Sequence, residues 1–494
     1  MRLGTVIMRF PNDYATAVPN LKRNLGLLGA IAISLAAMGP TMAVSLNPQA
    51  IAEQVGPAVP TTFIIAIVPL VLIAGSFAML TRRRATAGSV FGLVGAEIGP
   101  RSGTAAGIWL VAAYTAFTAI TALSFGIFTT TLLESLGLAT APQWLPILLA
   151  FAVLPITAYL AGRTMRTLGN LLLILEGLTM AAILVVSVLA LVTLVTKGGP
   201  QGQTVDWSAF RLQGVSAGAV ALALTFALLS SAGFEGAATM GEETADPRRI
   251  IPRALLWTVV ITTAFYVFVS TVAVWSFGVG PTAMGQFEAS GSLPADIANL
   301  YVGSGMGYLI TAGGAVSSFA CMVGGQVAGG RIIFSLARAG VGSSRLRNLS
   351  AQGTPAAASL VVGLVGFAFV AFAALTTGAQ SFSAFELTSD VAGVVIVGAY
   401  GAACAAAARV LWRGGPERLW AGLPIAAIVL LGVVLVLQVF PFPSGWELIA
   451  PVLGLAVLAC GAVFGRLRGH KAREAFMVVE EPEASSSPTS LQAR

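Results

Sequence analysis

The chain has 494 residues, of which 56% are hydrophobic and only 10% are charged. Globular proteins carry about a quarter charged residues, so this composition argues against a soluble protein and indicates an integral membrane protein. The net charge of +7 comes from basic residues spread in small groups between apolar runs, as in the loops of membrane proteins, and we expect no nucleic-acid partner.

Apolar runs of about 20 residues, the length that crosses a bilayer, predict twelve membrane-spanning helices. In chain order they lie at residues 26–46, 60–80, 103–133, 143–161, 168–195, 214–240, 254–278, 304–336, 356–376, 384–408, 419–440 and 446–465. A short tail, residues 1–24, precedes them. We expect the Ser- and Pro-containing tail, residues 466–494, to be largely disordered.

The distribution of Lys and Arg predicts how the chain crosses the membrane. With both termini in the cytoplasm, only Lys197 and Arg211 of the 27 basic residues fall on the outer side. Cytoplasmic loops carry an excess of Lys and Arg. The sequence therefore predicts a multi-pass protein of the cytoplasmic membrane with both termini inside.

Side chains that carry most metal and catalytic chemistry are scarce in the predicted spans. The single histidine, His470, follows the last span, and Cys321, Cys404 and Cys460 lie in separate apolar runs without metal-ligand spacing. We therefore expect neither an enzyme nor a bound metal or cofactor, and we interpret the cysteines as small packing residues.

Two predicted spans contain residues that interrupt a helix. The first has Met38-Gly39-Pro40-Thr41 in its middle, and the sixth has Ser230-Ser231-Ala232-Gly233. Non-helical backbone at membrane depth persists where it is buried in protein or lines a polar cavity. The two breaks together predict a shared cavity, although a simple kink at Pro40 is an alternative for the first.

The breaks occupy corresponding places in two groups of five spans. Residues 25–195 form the first group, residues 214–408 form a second group of opposite orientation, and residues 419–465 add two helices. Paired interruptions in inverted repeats are typical of secondary transporters with a site near the midplane. Free amides at a half-helix N-terminus attract a carboxylate and free carbonyls attract an ammonium group, which together suit a small zwitterion.

Two segments carry a family resemblance. The sequence GFEGAATMGEETADPRRIIPRAL, residues 233–255, closely resembles the sixth-span signature of the amino acid–polyamine–organocation transporters. The sequence GGRIIFSLARAGVGSSRLRNLSAQGTPAAA, residues 329–358, resembles that family's segment from span eight to span nine. The resemblance covers roughly residues 22–465. It implies an all-α, LeuT-like fold, with a five-plus-five inverted repeat followed by two C-terminal helices.

The resemblance also implies where a substrate binds. Carried over by position, the carboxylate would be bordered by Met38, Gly39, Thr41 and Met42, and the amine would meet Ser230, Ser231, Ala232 and Gly233. Phe234 would form part of a gate, and Tyr114 is a candidate lining residue. Many members have Gly-Ser-Gly where this chain has Gly39-Pro40-Thr41. Pro40 thus removes one amide from the carboxylate site, and substrates without a carboxylate remain an alternative.

Acidic residues inside the spans need a reason, because a charge at a helix centre costs roughly 2.5–3.5 kcal/mol on insertion scales. Glu176 lies about eight residues into span five, where some proton-coupled relatives have a lysine; it is a candidate proton carrier or cation partner, or a structural acid. Glu235 follows the second break, where a helix N-terminus would stabilise it, with coupling or gating as alternatives. Glu386 and Asp390 would form a solvated outer rim or a cation funnel.

The function expected from the sequence is secondary active transport. We expect a permease that moves amino acids, coupled to H⁺, by alternating access around spans one and six. A carrier or exchanger of polyamines or other organic amines is the alternative, and a non-transporting sensor on the same fold is a further one. The sequence leaves the particular substrate and the oligomeric state open.

Overall fold

The computed structural model describes residues 25–83, 89–138, 142–163, 166–240, 244–413, 415–440 and 445–472. Regular structure in these ranges is helical, and one isolated β-bridge joins Leu25 to Thr244. Most of both predicted tails, and the acidic pair Glu242 and Glu243 of the resemblance segment, lie outside the described residues.

The first half of the chain contains seven α-helices. They are α1 (Leu27–Met38), α2 (Pro40–Val55), α3 (Val59–Arg83), α4 (Ser89–Glu97), α5 (Pro100–Ser135), α6 (Leu145–Ala161) and α7 (Arg166–Lys197).

The second half begins with α8 (Ala217–Ser230), which is followed by a 3-10 helix, Phe234–Met240. The remaining helices are α9 (Pro247–Phe277), α10 (Pro281–Glu288), α11 (Leu293–Tyr301), α12 (Ser304–Arg338), α13 (Ala356–Thr376), α14 (Ser381–Arg413), α15 (Gly422–Val439) and α16 (Ile449–Arg468).

Ten helical stretches in the described part of the chain are long and apolar enough to cross a membrane. One of them, Leu27–Arg83, covers the first two predicted spans, whereas Leu145–Ala161, at the fourth predicted span, is shorter than the others. The all-helical membrane architecture is thus confirmed, while the count of twelve spans stays a prediction. Three short helices, α4, α10 and α11, lie in segments that the apolar pattern leaves as loops, because none is long enough to register as a span.

The centre of the molecule is built around α5, which packs against α12, α14, α6 and α16. Helix α3 packs against α9, and these two helices cover the second and seventh predicted spans. Large apolar side chains on the periphery are exposed, among them Leu178, Leu364 and Val429. Such a surface suits lipid, which replaces water around a membrane protein.

Helix α16 continues to Arg468, and a 3-10 turn, Gly469–Ala472, follows it. The first residues of the predicted tail 466–494 are therefore helical. Some buried polar side chains further inside form hydrogen bonds between helices. Gln326 Nε2 donates to Thr157 Oγ1 over 3.1 Å, and thereby joins α12 to α6.

Candidate functional site at the two helix breaks

The first break is a single residue. Helix α1 ends at Met38, and Gly39 takes a left-handed conformation (φ 59°, ψ 60°) before α2 begins at Pro40. Proline suits the first helical position because no intrahelical bond needs its missing N–H. A Cβ on Gly39 would collide with Cys321 Sγ. Conformation and space therefore both require glycine here.

The second break is longer. Helix α8 ends at Ser230, residues 231–233 form a turn, and the chain resumes as the 3-10 helix from Phe234. Gly233 has φ of 101°, and a Cβ on it would lie 2.8 Å from Ala37 O. The second break is therefore in contact with the last turn of α1, directly before the first break. The sequence predicts a new half-helix after Gly233, and the structure shows that its first turns are 3-10 rather than α.

The N-terminus of α2, the expected carboxylate site, has partners within the protein. Thr41 N donates to Glu176 Oε1 over 2.9 Å, and Met42 N donates to Ser317 Oγ over 3.3 Å. Pro40 has no N–H to offer. An acidic side chain from α7 thus takes the amide at which the resemblance places a substrate carboxylate.

Glu176 itself is only 4% exposed. Its second oxygen, Oε2, has no hydrogen-bond partner among the described residues. The hydroxyls of Thr41 and Ser317 lie beside the carboxyl. This acid is therefore buried, with a backbone amide bonded to one oxygen and two hydroxyls close to the carboxyl.

The carbonyl end of α8 is also occupied. Tyr266 OH donates to Ser230 O over 2.7 Å, and Asn47 Nδ2 donates to Ser230 Oγ over 2.6 Å. By contrast, Ser231 Oγ and Thr41 Oγ1 are buried and have no partner in the part of the chain that the structure describes. One such hydroxyl at each break marks the place where a polar ligand would find free hydrogen-bonding groups.

Glu235 is held by a different arrangement. Tyr114 OH donates to its Oε1 over 2.9 Å, Tyr400 OH donates to its Oε2 over 2.8 Å, and Gly233 N donates to Oε2 over 3.1 Å. The residue is 0% exposed. Donors from α5 and α14, together with the Gly233 amide at the start of the 3-10 helix, therefore hold Glu235 after the second break.

Phe234, the predicted gate residue, is packed rather than free. Its ring lies 5.5 Å from that of Phe77 and 5.6 Å from that of Tyr400, edge to face in both cases. Its carbonyl accepts a bond from Ser34 Oγ over 2.8 Å. The second break is thus also tied to α1.

Two hydrogen bonds connect α2 to α11 and to the turn before it, in the segment between α9 and α12. Gln49 Nε2 donates to Ser290 O, and Ser290 Oγ donates to Asp296 Oδ2 over 2.6 Å. Burial raises the pKa of Asp296, and the bond from Ser290 opposes this shift. In the predicted orientation this contact lies on the outer side.

The pair Glu386 and Asp390 lies in an acidic cluster with Glu53 and Glu447. One oxygen of Asp390, Oδ1, is buried without a hydrogen-bond partner among the described residues, so this acid is not a simple solvated rim. Within the described ranges, no group of three or more His, Cys, Asp or Glu residues is arranged to hold a metal ion.

The structure gathers the residues that the sequence singles out. Every predicted site residue lies in a break, beside one, or within hydrogen-bond distance of a residue beside one. The breaks themselves are formed by Gly39 and by Ser231, Ala232 and Gly233; the flanking residues are Met38, Thr41, Met42, Ser230, Phe234 and Glu235; and Glu176 and Tyr114 bond to Thr41 and Glu235.

Sequence reasoning missed Ser317, Tyr266 and Tyr400, which bond to Met42, Ser230 and Glu235. Ser317 lies in a glycine-rich part of the eighth predicted span. The two tyrosines could have been identified from their positions inside apolar spans, because a buried Tyr O–H usually has a hydrogen-bond partner.

Residues 25–458 match the family model described as amino acid permease. The chain belongs to the amino acid permease family. No curated protein sequence matches this permease.

Two solved structures resemble the permease in fold. The manganese transporter of Eremococcus coleocola, in complex with an aromatic bis-isothiourea substituted compound, has a TM-score of 0.54 at 12% identity, covering 93% of this chain and 99% of that chain. MhsT in complex with L-phenylalanine has a TM-score of 0.54 at 17% identity, covering 83% of this chain and 98% of that chain. At these identities the likeness concerns the fold, and it confirms the LeuT-like architecture. The permease is a multi-pass membrane transporter with a small-molecule substrate, and its family and fold indicate transport rather than enzymatic catalysis.

Proposed function

We propose that this permease is a proton-coupled secondary transporter of amino acids in the cytoplasmic membrane. The observation that carries the proposal is the contact of Gly233, in the second break, with the last turn of α1, directly before Gly39. Helices α2 and α8, whose amide and carbonyl ends lie at these breaks, also pack against each other. A zwitterion needs an N–H donor for its carboxylate and oxygen acceptors for its ammonium group. The family match supports an amino acid as that zwitterion.

The partnerless hydroxyls support the same location. Thr41 Oγ1 belongs to the first break and Ser231 Oγ to the second, and neither has a partner among the described residues. A buried hydroxyl without a hydrogen bond costs about 1–3 kcal/mol. A ligand that bonds to both would recover this free energy, so we assign both residues to substrate recognition.

Alternating access in this permease would use the bonds on either side of the breaks. On the predicted outer side, Asn47 bonds to Ser230 and Gln49 bonds to Ser290. On the predicted cytoplasmic side, Ala245 N donates to Leu25 O over 3.1 Å. Opening one side requires its bonds to break while the other set remains.

An organic-amine carrier is the second candidate, and one observation favours it. Glu176 already places a carboxylate on the Thr41 amide. A substrate that has an amine but no carboxylate could bind without displacing that side chain.

The test is uptake into proteoliposomes of matched pairs, each an amino acid and the amine formed by its decarboxylation, such as lysine with cadaverine and phenylalanine with phenethylamine. Each compound is tested with and without an inward proton gradient. Accumulation of amino acids only with the gradient would support the main proposal. Uptake of the amines alone would establish the second candidate, and binding without uptake or exchange would indicate a sensor.

Two serine variants locate the site in the same assay. Ser231→Ala should raise the half-saturating substrate concentration about tenfold, the effect of losing one hydrogen bond to substrate. Ser187→Ala is the matched control, because Ser187 Oγ is also buried and partnerless among the described residues but lies about 16 Å along α7 from Glu176. Equal effects of the two variants would remove Ser231 from the site.

A further inference from the structure

We propose that the Glu176 carboxylate is an internal competitor for the substrate's carboxylate, and that a proton bound by Glu176 releases the Thr41 amide to the substrate. This inference rests on the proposed function and names the residue through which the proton and the amino acid are linked.

The geometry of the α2 N-terminus leaves one amide to compete for. Pro40 has no N–H, Met42 N donates to Ser317 Oγ, and Ala43 N donates back to Gly39 O over 2.9 Å. Thr41 N is thus the donor at this end that an anion from outside the helix can take, and Glu176 Oε1 takes it. Two carboxylates cannot share one N–H at this distance without strong repulsion, so the substrate's carboxylate must displace that of Glu176.

The surroundings of Glu176 make its displacement depend on a proton. Among the described residues, the titratable side chains that face it from other helices are Tyr266 on α9 and Cys321 on α12, and both are neutral groups. An ionised Glu176 that left the amide would therefore be a buried charge without a compensating partner, which is strongly unfavourable.

Protonation removes that penalty. The neutral carboxyl is a weaker acceptor for Thr41 N–H, and it gains an O–H donor. The partnerless atoms Glu176 Oε2 and Thr41 Oγ1 lie in the same neighbourhood, so the new O–H has an acceptor nearby. The proton enters from the side of higher proton concentration with the substrate. It leaves to the other side when the substrate's departure lets Glu176 return to the amide, giving one proton per amino acid.

The first test needs no substrate. Infrared difference spectra of the purified permease are recorded during a pH titration, for the wild type, Glu176→Gln and the control Asp390→Asn. Asp390 also lies in a predicted span and has a buried partnerless oxygen among the described residues. We expect a protonated-carboxyl C=O band that is lost in Glu176→Gln, is retained in Asp390→Asn, and strengthens when the panel of amino acids is added at constant pH. Absence of a band assigned to Glu176 would overturn the inference whatever transport assays show.

The second test uses amino acids that the uptake panel identifies, in substrate exchange at a series of pH values. On the alkaline side, wild-type affinity should fall about tenfold per pH unit, the slope of one linked proton. Glu176→Gln should exchange substrate with an affinity independent of pH and should no longer accumulate it from a proton gradient. Proton-driven accumulation that survives in Glu176→Gln would overturn this inference and leave the proposed function standing, whereas transport of amines alone would overturn both.

Discussion

The bonds to Glu235 give the sharpest prediction about stability. Tyr400→Phe removes a hydroxyl that lies 2.8 Å from Glu235 Oε2. It keeps the ring, which packs 5.6 Å from the rings of Phe77 and Phe234. The loss is therefore confined to one hydrogen bond in a fully buried site. Hydrogen bonds to charged groups contribute about 1.5–3 kcal/mol, and we expect the free energy of unfolding to fall by this amount.

A double-mutant cycle separates this bond from other effects of the substitution. In a Glu235→Gln background the acceptor is neutral, so removal of the Tyr400 hydroxyl should cost only about 0.5–1.5 kcal/mol. The cost of Tyr400→Phe should therefore differ between the two backgrounds by roughly 1 kcal/mol, and this difference is the coupling energy between the hydroxyl and the carboxylate. Tyr308→Phe, at a half-buried tyrosine near the start of α12, is the control and should leave stability nearly unchanged.

The measurement is reversible unfolding in mixed detergent–dodecyl sulfate micelles, followed by circular dichroism. The reasoning would be refuted if Tyr400→Phe matched the wild type, or if it cost the same in both backgrounds. The first result would mean that the tyrosine hydroxyl makes no stabilising bond to Glu235, and the second would mean that the bond is not to a charged carboxylate.

Two further predictions concern the glycines at the breaks, both measured as thermal unfolding in detergent. Gly39→Ala should lower the free energy of unfolding by about 1–2 kcal/mol because its backbone is left-handed, and by a further amount because the new Cβ clashes with Cys321 Sγ. Adding Cys321→Ala should restore only the part of the stability that the clash removes. If it restores none, the contact between Gly39 and Cys321 is contradicted. Gly233→Ala, whose Cβ would lie 2.8 Å from Ala37 O, should lose much more stability and uptake than Gly236→Ala, whose Cβ would lie 3.3 Å from Ala37 Cβ. Equal losses would count against the close contact of Gly233 with the end of α1.

The positions of the breaks could be predicted from sequence because helix interruption is a local property. Pro40 lacks a backbone donor, and glycines tolerate positive φ, so Gly39 and Gly233 indicate where the helices stop. The structure places both breaks there. The same local reasoning assigns helices to the long apolar runs, whose length and composition alone specify membrane-spanning segments.

The partners of the breaks could not be predicted, because they depend on how helices rotate against each other. Met42 and Ser317 are 275 residues apart, and Tyr400 is 165 residues from Glu235. Apolar spans of low amphipathic contrast do not reveal which face meets a neighbour. The 3-10 conformation after Gly233 is likewise set by tertiary contacts, in which Ser34 Oγ accepts from Ala237 N over 3.0 Å.

The two buried glutamates illustrate why residue type and burial alone leave a role undecided. Glu235 receives three donors on its two oxygens, whereas Glu176 receives one and keeps a partnerless oxygen among the described residues. Each donor stabilises a carboxylate by an amount on the order of 1.5–3 kcal/mol, so the Glu235 side chain is held in place more firmly than that of Glu176. The sequence leaves coupling and structure open for both residues. The difference in donors favours a fixed, structural carboxylate at Glu235, and it agrees with the proposal of an exchangeable proton at Glu176, beside the amide that a substrate carboxylate would use.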